Sequence, residues 1–293
     1  MKPPLTSQLI PVDCFEIGFS TSAWVQHRCV VKCDLDDKAL GVHKVASRFK
    51  HPVVTPPETT GSPCDPQLAW EAFYPEGSIN PSGTIPGGFS FYMYGPPEFK
   101  ARLATATEAV LSYRMMLQGD WEWVKGGKFP GLFGGVNDMA YGCSGGRKEQ
   151  RCQCFGLRPM WRSNGVGELY TYLPLTEHNA AQQRKVPPQS IENSDYGFSV
   201  GRGSFDFKRA VGNWIAIATR VKLNDVGFEN GEVEVWVDGK SVIFIDGLTL
   251  RQTEDCTICG MQFQTFFGGH TPEWASTKDQ RAWFADVTGA IIA

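Results

Sequence analysis

No apolar run in this 293-residue sequence approaches the length of a membrane helix. Basic charge is not in excess either: 28 Lys and Arg stand against 31 Asp and Glu, a net charge of -3. That balance offers no general attraction for nucleic acid or acidic membranes. Any polyanion must therefore be held by a local basic cleft. Histidine is scarce. The five present are scattered without metal-like spacing, and nothing in the sequence itself brings His178 or His270, the two that could approach a cleft, to one. No compact Glu-x-Asp-x-Glu strand supplies the paired carboxylates of a glycoside hydrolase. The phosphate-loop pattern of spaced glycines ending in Lys–Ser/Thr is missing. No long amphipathic helix and no internal repeat stand out.

What the sequence has is glycine, proline and phenylalanine, at 32, 19 and 19 residues. With many short alternating runs, these indicate turns around an aromatic-rich β core. Residues 88–94, 109–117, 214–223, 260–267 and 280–287 read as strands. In 109–117, Leu111, Tyr113, Met115 and Leu117 share one face, and Ser112, Arg114 and Met116 the other. Residues 231–246 read as a hairpin turning at Asp238–Gly239, with Glu232 and Glu234 on its exposed face. Residues 177–193 are polar and proline-bearing and read as a loop. The expected fold is all-β, a jelly-roll β-sandwich with a concave substrate groove. Residues 1–70 are expected to be a loop-rich, cysteine-containing extension packed on a main domain of residues 71–293.

The nine cysteines cluster as Cys29/Cys33, Cys143/Cys152/Cys154 and Cys256/Cys259, with Cys14 and Cys64 apart. Cys256–Thr257–Ile258–Cys259 has zinc-finger spacing, but no second half accompanies it. Disulfides are the preferred reading: Cys143 with Cys152 or Cys154, and Cys256 with Cys259. That implies an oxidising compartment and secretion. Met1–Leu5 has no apolar signal core, so secretion would require a signal already removed.

Chemistry concentrates in three runs: Trp123–Gly135, Phe155–Arg162 and Gly167–Tyr172. The first carries Lys125–Gly126–Gly127–Lys128. If the second is extended, Phe155 and Leu157 face the core, and Gly156 and Arg158 the other side, although Pro159 can disturb the alternation. In the third, Leu169, Thr171 and Leu173 share one face, and Glu168, Tyr170 and Tyr172 the other. The bland readings are a solvated sheet face and a surface turn with solubilising lysines. The sharper reading is that lysine, arginine and tyrosine together suit proton abstraction beside the carboxylate of an acidic sugar.

Taken together, the sequence resembles polysaccharide lyase family fourteen and its fungal relatives. The likeness runs through Lys125–Leu132, Met160–Arg162 and Gly165–Tyr172. It continues through Gly212–Trp214, Asn230–Gly231, Trp236–Gly239 and Phe266–Gly269, covering about residues 89–285. The resemblance implies a jelly roll that cleaves a 1,4-linked polyuronate by β-elimination to 4,5-unsaturated products. Glucuronan is the first expectation and alginate the second. The resemblance puts the family's catalytic lysine on Lys128, with Lys125 as the alternative register, its arginine on Arg158 and its tyrosine pair on Tyr170 and Tyr172. Gly156 replaces a serine found in some members. Arg114, Lys125, Arg162, Gln262 and Gln264 are candidate substrate-binding residues.

Arg158 is expected to face the uronate carboxylate, with Arg114 or Arg162 able to share that role; among Lys128, Tyr170 and Tyr172 the favoured assignment is Lys128 as base and Tyr172 as acid. Proximity and the arginines would favour a neutral lysine and an ionised tyrosine. No metal and no cofactor are expected: such sandwiches can hold a structural calcium, but no acidic loop singles one out. The expected partner is an acidic polysaccharide, with no nucleic acid and no membrane, and the expected state is a monomer. A non-catalytic carbohydrate-binding protein is the alternative, and a glycoside hydrolase a weaker one.

Overall fold

The computed structural model describes residues 4–59, 62–193 and 196–293. In chain order its strands begin with β1 (Ile17–Ser20), β2 (Val30–Lys32), β3 (Val42–His43), β4 (Val53–Val54), β5 (Ala69–Tyr74) and β6 (Phe89–Met93). Next come β7 (Glu108–Leu117), β8 (Gly126–Lys128), β9 (Gly131–Val136), β10 (Cys154–Arg162), β11 (Val166–Tyr172) and β12 (Ile191–Glu192). The rest are β13 (Phe198–Asp206), β14 (Ile215–Lys222), β15 (Gly231–Val237), β16 (Lys240–Leu248), β17 (Cys256–Phe267) and β18 (Gln280–Ile291). Three short helices join them: α1 (Leu5–Leu9), α2 (Pro97–Leu103) and α3 (Glu177–Arg184).

Two nine-stranded sheets form a β-sandwich. The first runs β16-β15-β14-β7-β18-β1-β2, with β5 also on β18 and β4 on β5. The second runs β12-β13-β11-β10-β8-β17-β6-β3. There β9 follows β8 along the same gap, pairing with β10 and β17.

Strict alternation puts one face of each strand between the sheets. From β7 come Leu111, Tyr113, Met115 and Leu117; from β10, Phe155 and Leu157; from β17, Phe263 and Phe267. Phe91 and Phe263 stack at 5.4 Å with rings 4° apart, and Trp70 packs edge-on against both. Each such ring contributes about 1.5–3 kcal/mol by leaving water, so this aromatic layer clamps the second sheet on the first. The hairpin turns at Asp238 and Gly239, both at positive φ (50° and 76°), the conformation a tight two-residue turn requires.

Several expectations change. The segment before residue 71 is more than a packed extension: β1 pairs with β18, β3 with β6 and β4 with β5, so it adds strands to both sheets. Residues 177–193 are not all loop, since α3 takes the first half. Its N-cap is Thr176, whose side chain accepts the Asn179 amide at 3.1 Å. Lys125–Lys128 is no surface turn. Gly126–Lys128 forms β8, and a Cβ on Gly127 would lie 2.1 Å from the Trp161 ring. Only glycine lets the strand pass beneath that indole.

The cysteine framework is smaller than expected. Cys143 and Cys154 are bonded, with Cα atoms 5.7 Å apart. Cys256 and Cys259 are free, as are the other five cysteines. Both lie on β17, where three residues of strand span about 10 Å, beyond disulfide reach.

Candidate active site

A cleft of about 630 Å³ opens on the face of the second sheet turned away from the core. Neighbouring strands deliver its floor in register. Arg158 lies opposite Tyr170, and Gly156 opposite Tyr172, across β10 and β11. Met160 of β10 lies opposite Lys128 of β8, and Lys128 in turn opposite Phe266 of β17. Period-two alternation thus places Lys128, Arg158, Tyr170 and Tyr172 on one floor, and all four line the cleft. Arg162, Gln262 and Gln264 line it too.

The Lys128 Nζ donates to the Tyr172 hydroxyl at 3.3 Å and lies 4.8 Å from the centre of the Tyr170 ring. Burial pushes the Lys128 ammonium well below the ordinary lysine range; Arg158 and Arg162 push the same way, and Glu168 opposes them. The expectation of a neutral lysine agrees with this environment. The expectation of an ionised tyrosine does not. Tyr172 is 1% exposed, and burial raises its pKa despite the opposing pull of Arg158 and Arg151. Tyr170 is raised as well, first by burial and then by Tyr172. Desolvation of a phenolate outweighs the nearby guanidinium groups, so both hydroxyls keep their protons.

Arg158 is 2% exposed. Its Nη1 donates to the Gln264 side-chain oxygen at 2.8 Å and its Nη2 to the Gln264 carbonyl at 2.7 Å. Burial lowers its pKa to about 10, which still leaves the guanidinium charged at neutral pH. Gln264 is itself held by Gln262 at 3.1 Å and by Ser90 at 3.0 Å. Arg162 is aimed from below by Glu168, which is fully buried, accepts from Arg162 at 2.9 Å and from Ser199 at 2.9 Å, and pairs with Arg202 at 2.6 Å. No Asp or Glu lines the cleft among the described residues. A chain of net negative charge has gathered two guanidinium groups here, Arg158 and Arg162, beside the Lys128 amine.

Two candidate residues stand elsewhere. Arg114 is on β7 of the other sheet, paired with Asp65 and Asp286 at 3.2 Å each. Its alternation was readable, but not the sheet its strand would join. Lys125 is exposed outside the cleft and paired with Glu273 at 2.9 Å. Of the histidines considered, His270 lines the cleft, its Nε2 3.0 Å from the Tyr196 hydroxyl. His178 instead meets the Gly247 carbonyl and Glu229.

The cleft also uses Ser90, Tyr92, Tyr196 and Trp274, which sequence reasoning missed. A signal existed for the first two, since they alternate with core Phe89, Phe91 and Met93. Tyr196 and Trp274 come from connections between strands and carry no periodicity. At Gly156 an added Cβ would meet its nearest neighbour, the Cys143 carbonyl, at 3.4 Å. The missing hydroxyl is therefore a chemical difference, not a steric necessity.

Among the described residues, no group of three or more His, Cys, Asp or Glu is arranged to hold a metal ion. What the cleft offers is a buried guanidinium, an amine whose burial favours its neutral form, and protonated phenols within one floor. That set can offset a carboxylate, accept a proton and donate one.

The family model for polysaccharide lyase 14 matches residues 65–287. The crystal structure of a marine PL-14 alginate lyase from Aplysia kurodai superposes with a TM-score of 0.71 at 30% identity, over 85% of this chain and 90% of that one. The alginate lyase vAL-1 from Chlorella virus gives 0.64 at 20% identity, over 86% and 93% of the two chains. An endo-beta-1,4-glucuronan lyase from the fungus Trichoderma reesei shares the fold at 0.50 and 11% identity, over 86% and 91%. No curated protein sequence matches significantly. With three-quarters of its length matched by one family model, this chain is a polysaccharide lyase and belongs to the polysaccharide lyase 14 family.

Proposed function

We propose that the protein cleaves a 1,4-linked polyuronate by β-elimination, with alginate as the first substrate to test and glucuronan the second. This reverses the order drawn from sequence. The reversal rests on the 30% identical structure being that of an alginate lyase, whereas likeness to the glucuronan lyase is one of fold. The observation that carries the proposal is the Lys128–Tyr172 pair at 3.3 Å beside the charged Arg158, in a cleft lined by no carboxylate among the described residues.

A uronate C5 proton is poorly acidic while its carboxylate is ionised, because removing it adds charge to an anion. Arg158 set against that carboxylate offsets the developing enolate. Lys128, neutral in its environment, takes the C5 proton. The C4–O4 bond then breaks, the C4–C5 double bond forms, and Tyr172 protonates the leaving O4. The proton gained by Lys128 passes to Tyr172 across their hydrogen bond and restores both groups. The cycle closes with no water consumed and no co-reactant.

We further propose that the enzyme acts as a monomer, needs no cofactor, and works outside the cell. The Cys143–Cys154 disulfide and a polymeric substrate support that location. The deciding experiment is incubation with alginate, glucuronan and a neutral glucan while absorbance at the ultraviolet edge is followed. Rising absorbance with a polyuronate alone is expected. Reducing ends without absorbance, or equal binding of neutral glucan, would overturn the proposal.

A further inference from the structure

The floor of the cleft does not stop at the proposed catalytic residues. On β6, Ser90 and Tyr92 line the cleft while Phe89, Phe91 and Met93 point into the core. Tyr94 follows just beyond the strand, on the same alternation. Its ring stacks on His43 at 3.9 Å and 11°, and His43 is opposite Tyr92 in the β3–β6 register. Tyr141, in the turn Asn137–Gly142, closes the group. Its hydroxyl lies 2.9 Å from both the His43 Nε2 and the Tyr94 hydroxyl. Tyr92 packs edge-on against Tyr141 at 4.8 Å and so belongs to the cleft and to this cluster together.

Two exposed lysines crown the rings. The Lys44 Nζ lies 4.3 Å from the centre of the Tyr141 ring, and the Lys100 Nζ, on α2, lies 4.1 Å from that of Tyr94. Neither makes a salt bridge among the described residues. The acid whose charge acts on Tyr141 is Asp138, on the same turn. The hydrogen bonds fix what the phenols can offer. With His43 Nδ1–H donating to the Gly41 carbonyl at 3.0 Å, its Nε2 accepts from Tyr141, and Tyr141 accepts from Tyr94. Both phenol protons are spent, and lone pairs remain. The cluster therefore presents acceptors for sugar hydroxyls and two ammonium groups for carboxylates.

We propose that Tyr94, Tyr141, Lys44 and Lys100 form a distal subsite for the polyuronate chain, continuous with the catalytic cleft through Tyr92. This rests on the polyuronate-lyase reading and extends it. Position gives the subsite a length requirement. Phe266, beside Lys128, and Gly260, level with Tyr94, are six residues apart on β17, about 20 Å of strand. A short oligomer seated at Lys128 does not reach the lysines, whereas a polymer does. The subsite makes the enzyme prefer long chains and contributes to KM, not to chemistry.

The test compares the wild type with Lys44→Ala/Lys100→Ala, and with Lys240→Ala on the other sheet as a control, on polymeric alginate or glucuronan and on the matching trimer. Loss of two exposed charge contacts should raise KM for the polymer about five- to tenfold. It should leave kcat and the trimer KM within twofold and reduce the salt dependence of the polymer KM. Tyr94→Phe should give a smaller rise in the same parameter. An unchanged polymer KM, or equal losses on polymer and trimer, overturns the subsite. If the wild type releases no unsaturated product, the lyase reading fails by itself. Polymer binding by calorimetry then judges the subsite: weakened binding in the double variant supports it, and unchanged binding overturns it.

Discussion

Arg158 holds Gln264 at two points, the side-chain oxygen at 2.8 Å and the main-chain carbonyl at 2.7 Å. The guanidinium is thereby oriented before any ligand arrives, and a preoriented cation stabilises a developing charge without reorganising. Arg158→Ala should lower kcat roughly 100- to 1000-fold with a smaller change in KM. Arg158→Lys should rescue little, since an ammonium lacks the planar fork. Steady-state kinetics on polyuronate checks both.

Tyr172→Phe keeps the ring beside Lys128 and removes only the hydroxyl. Folding and polymer affinity should stay near the wild type while double-bond formation collapses. Lys128→Ala should behave alike, whereas Lys125→Ala, which removes an exposed pair with Glu273, should be mild. Near-normal rates in both Tyr172→Phe and Lys128→Ala would refute the assigned roles.

The pH profile follows from the same pair. Lys128 must be neutral to act, and burial depresses its pKa. Activity should therefore rise at a pH well below the ordinary lysine value of about 10.4. It should fall only above the ordinary tyrosine value of about 10, because Tyr172 is raised. Stability carries a matching signature. Between the folded and unfolded pKa of Lys128, the unfolded chain binds a proton that the folded chain does not. This group's contribution to stability thus rises with pH across that window. Lys128→Met should flatten that slope in denaturation curves taken at a series of pH values.

Glu168 is fully buried among Arg162, Arg202 and Ser199. Glu168→Gln removes the charge both arginines face and should cost about 3 kcal/mol of stability. It should also raise KM by freeing Arg162 from its place in the cleft. Chemical denaturation and kinetics on one preparation separate the two effects.

Thiol titration of the unfolded, unreduced protein should find seven free cysteines. Replacing Cys143 and Cys154 by serine should cost about 2–3 kcal/mol. It should also loosen Ser144 and Gly145, which line the cleft inside the closed loop.

The floor of the site was legible because a strand has a strict period of two. Phe155 and Leu157 facing the core places Arg158 on the other side, and the same holds for Tyr170 and Tyr172 against Leu169. Pro159 does not disturb the pattern: it pairs in register with Leu169, and its carbonyl accepts the amide of Phe129, where β8 gives way to β9. What alternation leaves open is which sheet a strand joins. Arg114 was assigned to the groove on residue type, and β7 instead took it to the opposite sheet. Tyr196 and Trp274 enter from connections, where no period exists to be read. The protonation of Tyr172 also escaped the sequence, because it depends on how deeply the ring is buried, not on which charges adjoin it.

The two guanidinium groups of the cleft, Arg158 and Arg162, sit in a chain whose net charge is -3, and this bears on how it would move through a polyuronate. A polyuronate gel is itself a dense field of carboxylates. Many orientations of the enzyme would be repelled by such a matrix, and the cleft with its flanking Lys44 and Lys100 would attract it. Unproductive adhesion is thereby suppressed, and collisions are sorted by orientation before contact. Added salt would erase this sorting. The enzyme would then wander the gel more freely yet strike it less often with the correct face.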